Sequence, residues 1–408
     1  MSMIVPQRIL IAPSGFKESL DAGTVASAIA AGVRRILPGA QLTLMPVPDG
    51  GEGTVAAIAA ATGGKVHTQH VTGPVGQPVT AGWVMLESEG VAVLEMASAA
   101  GLSLVPRELR NPGATTTYGV GELIAAALDA GARRIVLGCG DSGTSDGGAG
   151  ALMALGVRIL DADGEPIGLG GRALRRAAQL DFSGMHPKIG QVPIILACNV
   201  HNVLCGERGV ARVFGPQKGA TPKQVAKLEA GLENWAELLE RQAPFAKGKD
   251  LKFGAGTGAS GGLGVGLAAG LDATLGSRFE VLLDSGMAGI NLDDALLDAD
   301  LVITAEGAID FQTPHGKVPA EVAARAQRVG VPVLGLAGTL GRGAPSVHEI
   351  GIDGLASIMT LPMDLSQAVE RGEQLLIDAA ERTMRLVLLG SAVAARGTRA
   401  ALQPAAAR

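Results

Sequence analysis

Short aliphatic runs alternate with Ala-rich amphipathic stretches, and the alternation changes character in the middle of the chain. Residues 8–12 form an aliphatic run of strand length, and residues 22–36 place apolar side chains at helical spacing. A second run covers 42–47. It is followed by Pro48-Asp49-Gly50-Gly51-Glu52-Gly53 and a helical pattern to about Ala61. Strand-helix-strand-helix order is the mark of a parallel sheet with crossovers. The same order returns late in the chain, with strands at 300–304 and 331–337 and helices at 319–329 and 368–389. Between them, residues 66–86 mix alternating β-formers with Gly73-Pro74 and Gln77-Pro78, which predicts antiparallel pairing. Further strands are predicted at 91–96, 134–137 and 192–197. The pattern predicts an α/β protein in which residues 1–70 and 290–390 build one domain, residues 71–289 form an inserted α/β domain, and residues 391–408 are a frayed tail.

Composition narrows the picture. Of 408 residues only two are Trp, one Tyr and seven Phe, so Ala, Val, Leu and Ile must build the core. Buried parallel strands read as such aliphatic runs. The 60 Gly residues cluster in loops at strand ends, where a backbone can approach a ligand closely. A net charge of −5 with no Lys/Arg block argues against nucleic-acid and anionic-membrane partners. Three Cys residues, an odd count, fit a reduced, cytoplasmic setting. Residues 253–271 carry no charge but are too rich in Gly for a membrane span.

Five polar, Gly-rich loops follow strands, at 13–17, 49–53, 138–150, 199–218 and 306–317. Loops at strand ends are where open α/β sheets bind ligands. Together these concentrate Gly with Asp, Glu and Lys, which points to an anionic substrate with a metal. Gly138-Cys139-Gly140-Asp141-Ser142-Gly143 matches the dinucleotide fingerprint G-x-G-x-x-G, with Asp161 and Asp163 about 20 residues on. The loop continues through Thr144-Ser145-Asp146-Gly147-Gly148, however, where the fingerprint requires a helix. A phosphate cradle closed by a helix N-terminus is the alternative, and a tight turn with Asp146 as N-cap is a third reading. Glu306 and Asp310 could hold Mg²⁺, orient a hydroxyl, or simply cap a helix. His315, Lys317 and Lys17 could meet phosphate or be solvated charges. No P-loop, protein-kinase signature set, zinc spacing or G-x-S-x-G elbow is present.

The motifs IAPSGFKESL (11–20), VPDGGEGT (47–54), EMASAAGLSLVP (95–106), TTTYGVGEL (115–123), SGTSDGGAGALMALG (142–156), VFGPQKGAT (213–221), GASGGLG (258–264) and ADLVITAEGAIDFQTPHGK (299–317) occur in one order across about 8–388. In this the chain resembles the type I glycerate kinases. The resemblance implies a flavodoxin/Rossmann-like three-layer domain built from both chain ends, with an inserted mixed α/β domain. It implies ATP and Mg²⁺ as cofactors and D-glycerate as acceptor, giving 2-phosphoglycerate. A small hydroxy acid is the expected partner, and the chain is compatible with a homodimer.

On that basis Lys17, Asp146 and Asp310 are expected to be catalytic. Gly50, Gly51, Gly140, Ser142, Gly147, Gly148, Lys218, Gly261, Gly262 and Lys317 are expected to hold the nucleotide. Ser14, Gly15, Asn199 and His315 would meet the acceptor, and Asp49, Asp146, Glu306 and Asp310 the metal. The chain departs from the family pattern in several of these loops. Ser14-Gly15 replaces Asp-Ser, Asp141 replaces Gly, Asn199 replaces Asp, and Ala308 replaces Arg. An Arg that grips a carboxylate or phosphate cannot become Ala without losing bidentate hydrogen bonds.

Overall fold

A computed structural model describes residues 5–16, 19–285 and 291–402. The chain divides into two compact units, one of Met1–Val47 with Ile290–Arg408 and one of Pro48–Gly289. The first crossing therefore falls at 47/48 and not near 70. The chain first lays down β1 (Arg8–Ile11) and β2 (Gln41–Leu44), and then enters the insertion. There it forms β3 (Lys65–Thr72), β4 (Pro78–Leu86), β5 (Val91–Glu95), β6 (Arg134–Gly138), β7 (Arg158–Leu160), β8 (Gln179–Asp181), β9 (Ile194–Cys198) and β10 (Thr274–Ser277). It returns with β11 (Leu301–Ile309), β12 (Val333–Leu340) and β13 (Gly354–Ser357). β3 lies in the insertion because it pairs along its whole length with β4.

In the end-built unit the sheet order is β13-β12-β11-β1-β2, with every neighbour parallel. Counted within the unit, that is 2-1-3-4-5, the flavodoxin-like order, with its switch point between β1 and β11. Ile9, Ile11, Ile303 and Leu336 point to one face and pack against the helices Ala22–Arg34 and Gly372–Leu402. The alternate residues Leu10, Val302 and Val333 are also buried, and the helix Val318–Val329 packs on β11 and β12. The sheet is thus covered on both faces, as a parallel sheet requires. The C-terminal helix continues through 391–402, where a frayed tail was expected. Its Ala- and Arg-rich composition favours helix despite Gly397.

The insertion has the order β10-β9-β6-β5-β4-β3. The four strands from β10 to β5 are parallel, and β5-β4-β3 are antiparallel as the 66–86 pattern predicts. The parallel strands share a direction, so residues 95, 138, 198 and 277 end at one edge. The helix Ala259–Gly270 is buried throughout this unit, and among the described residues no helix is long and apolar enough to cross a membrane.

Gly32 marks the tightest helix crossing of the end-built unit. A Cβ there would collide with the Ile377 carbonyl and the Ala380 methyl. Gly32→Leu is expected to cost about 1–3 kcal/mol through overpacking. Urea unfolding should read this as a lower midpoint; an unchanged midpoint would show that the crossing relaxes freely.

Candidate active site

In the end-built unit, β1 runs into Pro13-Ser14-Gly15 at the switch point. Ser14 donates both its N–H (2.9 Å) and its Oγ–H (3.1 Å) to the Ala305 carbonyl on β11. Gly15 lies against the Leu20 carbonyl and the Ala22 amide. β11 then continues through Glu306-Gly307-Ala308-Ile309, which the sequence reading took as a loop. Strand alternation puts Glu306 and Ala308 on one face. The Lys317 ammonium lies 3.0 Å from a Glu306 carboxylate oxygen and 3.9 Å from Asp310 Oδ1. Asp310 is fixed by its own turn: Oδ1 accepts the Gln312 N–H (2.8 Å), and its N–H donates to Thr313 Oγ1 (3.1 Å). Lys317 is the N-cap residue of Val318–Val329, so its charge adds to the positive end of that helix. His315 is exposed on the same turn. Lys17 lies outside the described residues.

In the insertion, the parallel edge gathers a second set of polar groups. Asp49 pairs with Arg278, which follows β10; the guanidinium lies 3.4 Å from Asp49 Oδ2 and donates to its carbonyl. Asn199, after β9, accepts the His201 N–H in its own turn. Sequence reasoning missed Arg278 and Glu95. Glu95 ends β5 and accepts the Val55 N–H (3.0 Å) at the start of the helix Thr54–Thr62. Burial pushes its carboxyl up to about 7, with the helix N–H groups opposing. Asp141 has φ 52°, a left-handed conformation suited to the Gly that the family pattern implies and tolerated by Asp. Its carboxylate accepts the Glu52 N–H (3.1 Å).

The amides of the 49–53 loop are therefore already engaged. Gly50 N–H donates to Thr54 Oγ1, Gly51 N–H to Asp49 Oδ1 and Glu52 N–H to Asp141. Gly50 lies against Cys139 and the Ala197 carbonyl, and it receives the Gly140 N–H. This loop is a packed junction, not the open phosphate cradle expected of Gly50, Gly51 and Gly140.

The 142–148 loop is also packed. Side chains added at Gly147 or Gly148 would run into Trp235 or Leu263, and at Gly261 or Gly262 into the 144–147 backbone. These four Gly residues, expected to hold the nucleotide, let neighbouring backbone and side chains approach closely. Asp146 is fully buried. Its carboxylate accepts the Thr117 N–H (2.8 Å), Thr117 Oγ–H (2.9 Å), Gly148 N–H (3.2 Å) and Gly150 N–H (3.3 Å). It ties the starts of Tyr118–Asp129 and Ala149–Ala154 together from outside both helices, whose N-cap residues are Thr117 and Gly148. With its oxygens so engaged it does not fit a metal ligand. Burial raises its carboxyl, and these donors oppose the rise. Lys218 is buried beside it, donating to Ser142 Oγ (2.8 Å) and the Thr144 carbonyl (2.6 Å). Burial lowers its ammonium to about 7, with the Asp146 charge opposing. The partly exposed Ser142 is the member of this loop that reaches the surface.

Among the described residues no group of three or more His, Cys, Asp or Glu could cage a metal. The dinucleotide fingerprint also lacks its helix, which starts at Ala149. The family model of the glycerate kinase family matches residues 9–388. The chain belongs to the glycerate kinase family. It is similar to the glycerate kinase of Bacillus subtilis strain 168, at 45% identity over 93% of this chain and 96% of that one. It is 44% identical to the glycerate 2-kinase of Escherichia coli K12, over 88% and 93%. A crystal structure from Salmonella typhimurium LT2, assigned as glycerate kinase 2, is 41% identical with a TM-score of 0.74, covering 94% of this chain and 99% of that one. The enzyme is thus a phosphotransferase of the glycerate kinase type, with an alcohol group as acceptor.

Two measurements test the packed loop. Asp146→Ala would leave buried N–H groups unpaired and is expected to cost about 3–5 kcal/mol. A variant as stable as wild type in urea would return Asp146 to the list of catalytic candidates. For Lys218 the folded value of about 7 lies below its ordinary 10.5. Between those pH values the unfolded chain binds a proton that the native chain does not, so stability rises with pH. Lys218→Met should remove that rise. Parallel curves of urea midpoint against pH for the two proteins would contradict it.

Proposed function

We propose that the enzyme transfers the γ-phosphoryl group of ATP to the 2-hydroxyl of D-glycerate, giving 2-phosphoglycerate. The observation that carries this reading is the Glu306–Lys317–Asp310 group beside the switch point of a 2-1-3-4-5 sheet. Ligands bind outside the carboxyl ends of strands at such a point. The relatives named as glycerate kinases supply the substrate class.

Each residue has a task. Asp310 accepts the proton of the acceptor hydroxyl, whose oxygen bonds to the γ-phosphorus as the bond to the leaving ADP breaks. Lys317, at a helix N-terminus, neutralises charge on the transferring group, the main demand of phosphoryl transfer. Mg²⁺ bound to ATP would add charge neutralisation across the β- and γ-phosphates. Glu306 would hold the metal alongside the phosphate oxygens, since Mg²⁺ commonly takes only one or two protein carboxylates. Ser14 and Gly15 border the acceptor. Ala308 leaves the face beside Glu306 without a guanidinium, which makes Lys317 the cation of this group.

A Mg-ATP coupled assay over D-glycerate and other two- to four-carbon hydroxy acids, with ³¹P NMR of the product, tests the reading. D-Glycerate is expected to give the highest kcat/KM. Asp310→Asn should lower kcat by about 100-fold or more while folding is retained. No turnover on any acceptor, or near-wild-type rates for Asp310→Asn, would sink it.

A further inference from the structure

The insertion holds a second charged feature that includes none of the residues above. A cleft of about 670 Å³ opens between the 3-10 turn Gly171–Arg176 and the helix Pro222–Gln242. Arg172, Arg175 and Arg176 line it from the turn and Lys227 from the helix, while Ile167 and Leu228 give it an apolar floor. No carboxylate lines it. Arg176 is held in place, donating to the Ile167 carbonyl (2.9 Å) and lying 3.7 Å from Asp161. Arg172, Arg175 and Lys227 are exposed, with no side-chain partner among the described residues. Together they give the cleft a positively charged lining. Arg forks are suited to grip carboxylate or phosphate at two points. The volume matches a small metabolite.

The same turn is wedged against the packed loop. Gly171 lies directly on the Ser145 carbonyl, so that a Cβ there would collide with it, and on the Leu228 side chain. Leu174 and Trp235 flank Gly147, and Trp235 Nε1–H donates to the Gly147 carbonyl (2.9 Å). Thr144 and Ser145 carry buried hydroxyls with no hydrogen-bond partner. We propose that this cleft binds a small polyanion with two or more phosphate or carboxylate groups, and that its occupancy is transmitted through Gly171 and Trp235 to the 143–148 loop. The site is regulatory in kind, since no candidate catalytic group lines it.

Trp235 is one of only two Trp residues, so Trp83→Phe leaves it as the sole reporter. Titrating that variant with pyrophosphate and with citrate should give a saturable fluorescence change with a midpoint below about 1 mM. Adding Arg172→Ala and Arg175→Ala should raise the midpoint about tenfold or more. The stronger probe identifies phosphate or carboxylate as the recognised group. No saturable change with either probe, or the same midpoint after the Arg substitutions, overturns the proposal. Equilibrium dialysis of both probes with the wild-type chain and with Arg172→Ala/Arg175→Ala covers the case in which Trp83→Phe does not fold. Equal binding there also overturns it. None of these readouts depends on the acceptor being glycerate.

Discussion

A single buried carboxylate sets the arrangement of the inserted unit. Asp146 takes hydrogen bonds from the starts of two helices, while the buried Lys218 nearby donates to other groups and acts on it through charge. The compensation comes from N–H and O–H dipoles aimed at the charge, together with the positive ends of both helices. Lys218 completes the arrangement from the other side of the loop, donating to Ser142 and the Thr144 carbonyl. A loop held this way presents Ser142 at a defined position, and moving it costs hydrogen bonds to buried groups. The four Gly residues around it follow from the same demand, since two backbones must pass within contact distance.

The end-built unit meets a different constraint. Its sheet is parallel and covered on both faces, so only the strand ends are open to a ligand. Among the described residues the polar groups at the switch point include Ser14 and the run from Glu306 to Lys317. Lys317 sits where helix dipole, ammonium and two carboxylates meet. One ammonium there faces two carboxylates, and the positive end of the helix Val318–Val329 adds to it.

The architecture was legible because its signals are local. Aliphatic runs, helix periodicity and the Gly-Pro turns of 66–86 each concern neighbouring residues. The site was less legible because Gly has two uses that look alike in a sequence: it lets a ligand approach or it lets another backbone approach. Gly147, Gly148, Gly261 and Gly262 are of the second kind, which is visible only once 144–148 and 258–264 are brought together. The setting of Asp146 is hidden in the sequence for a similar reason, as its partner Thr117 lies 29 residues earlier. Arg278 was missed because its partner Asp49 is 229 residues away. Glu306 and Asp310, a pair in the sequence, lie on either side of the Lys317 ammonium. Gly307 hid the fact that β11 carries Glu306 as a strand residue and not as part of a loop.

The departures from the family pattern now acquire physical content. Asp141 occupies a left-handed position and spends its carboxylate on the Glu52 amide, at the positive end of the helix Thr54–Thr62. A Gly at 141 would leave that amide open to another anion. The negative charge that a helix N-terminus attracts is thus supplied here by the chain itself. Arg278 pairs with Asp49 close by, so charge at this edge is already matched within the insertion. Arg172 and Arg175 on the Gly171–Arg176 turn and Lys227 on the facing helix are exposed cations away from this edge. Backbone amides accept any oxyanion, whereas guanidinium forks favour planar and multiply charged groups, and on the proposal above this unit would select among anions by the second means.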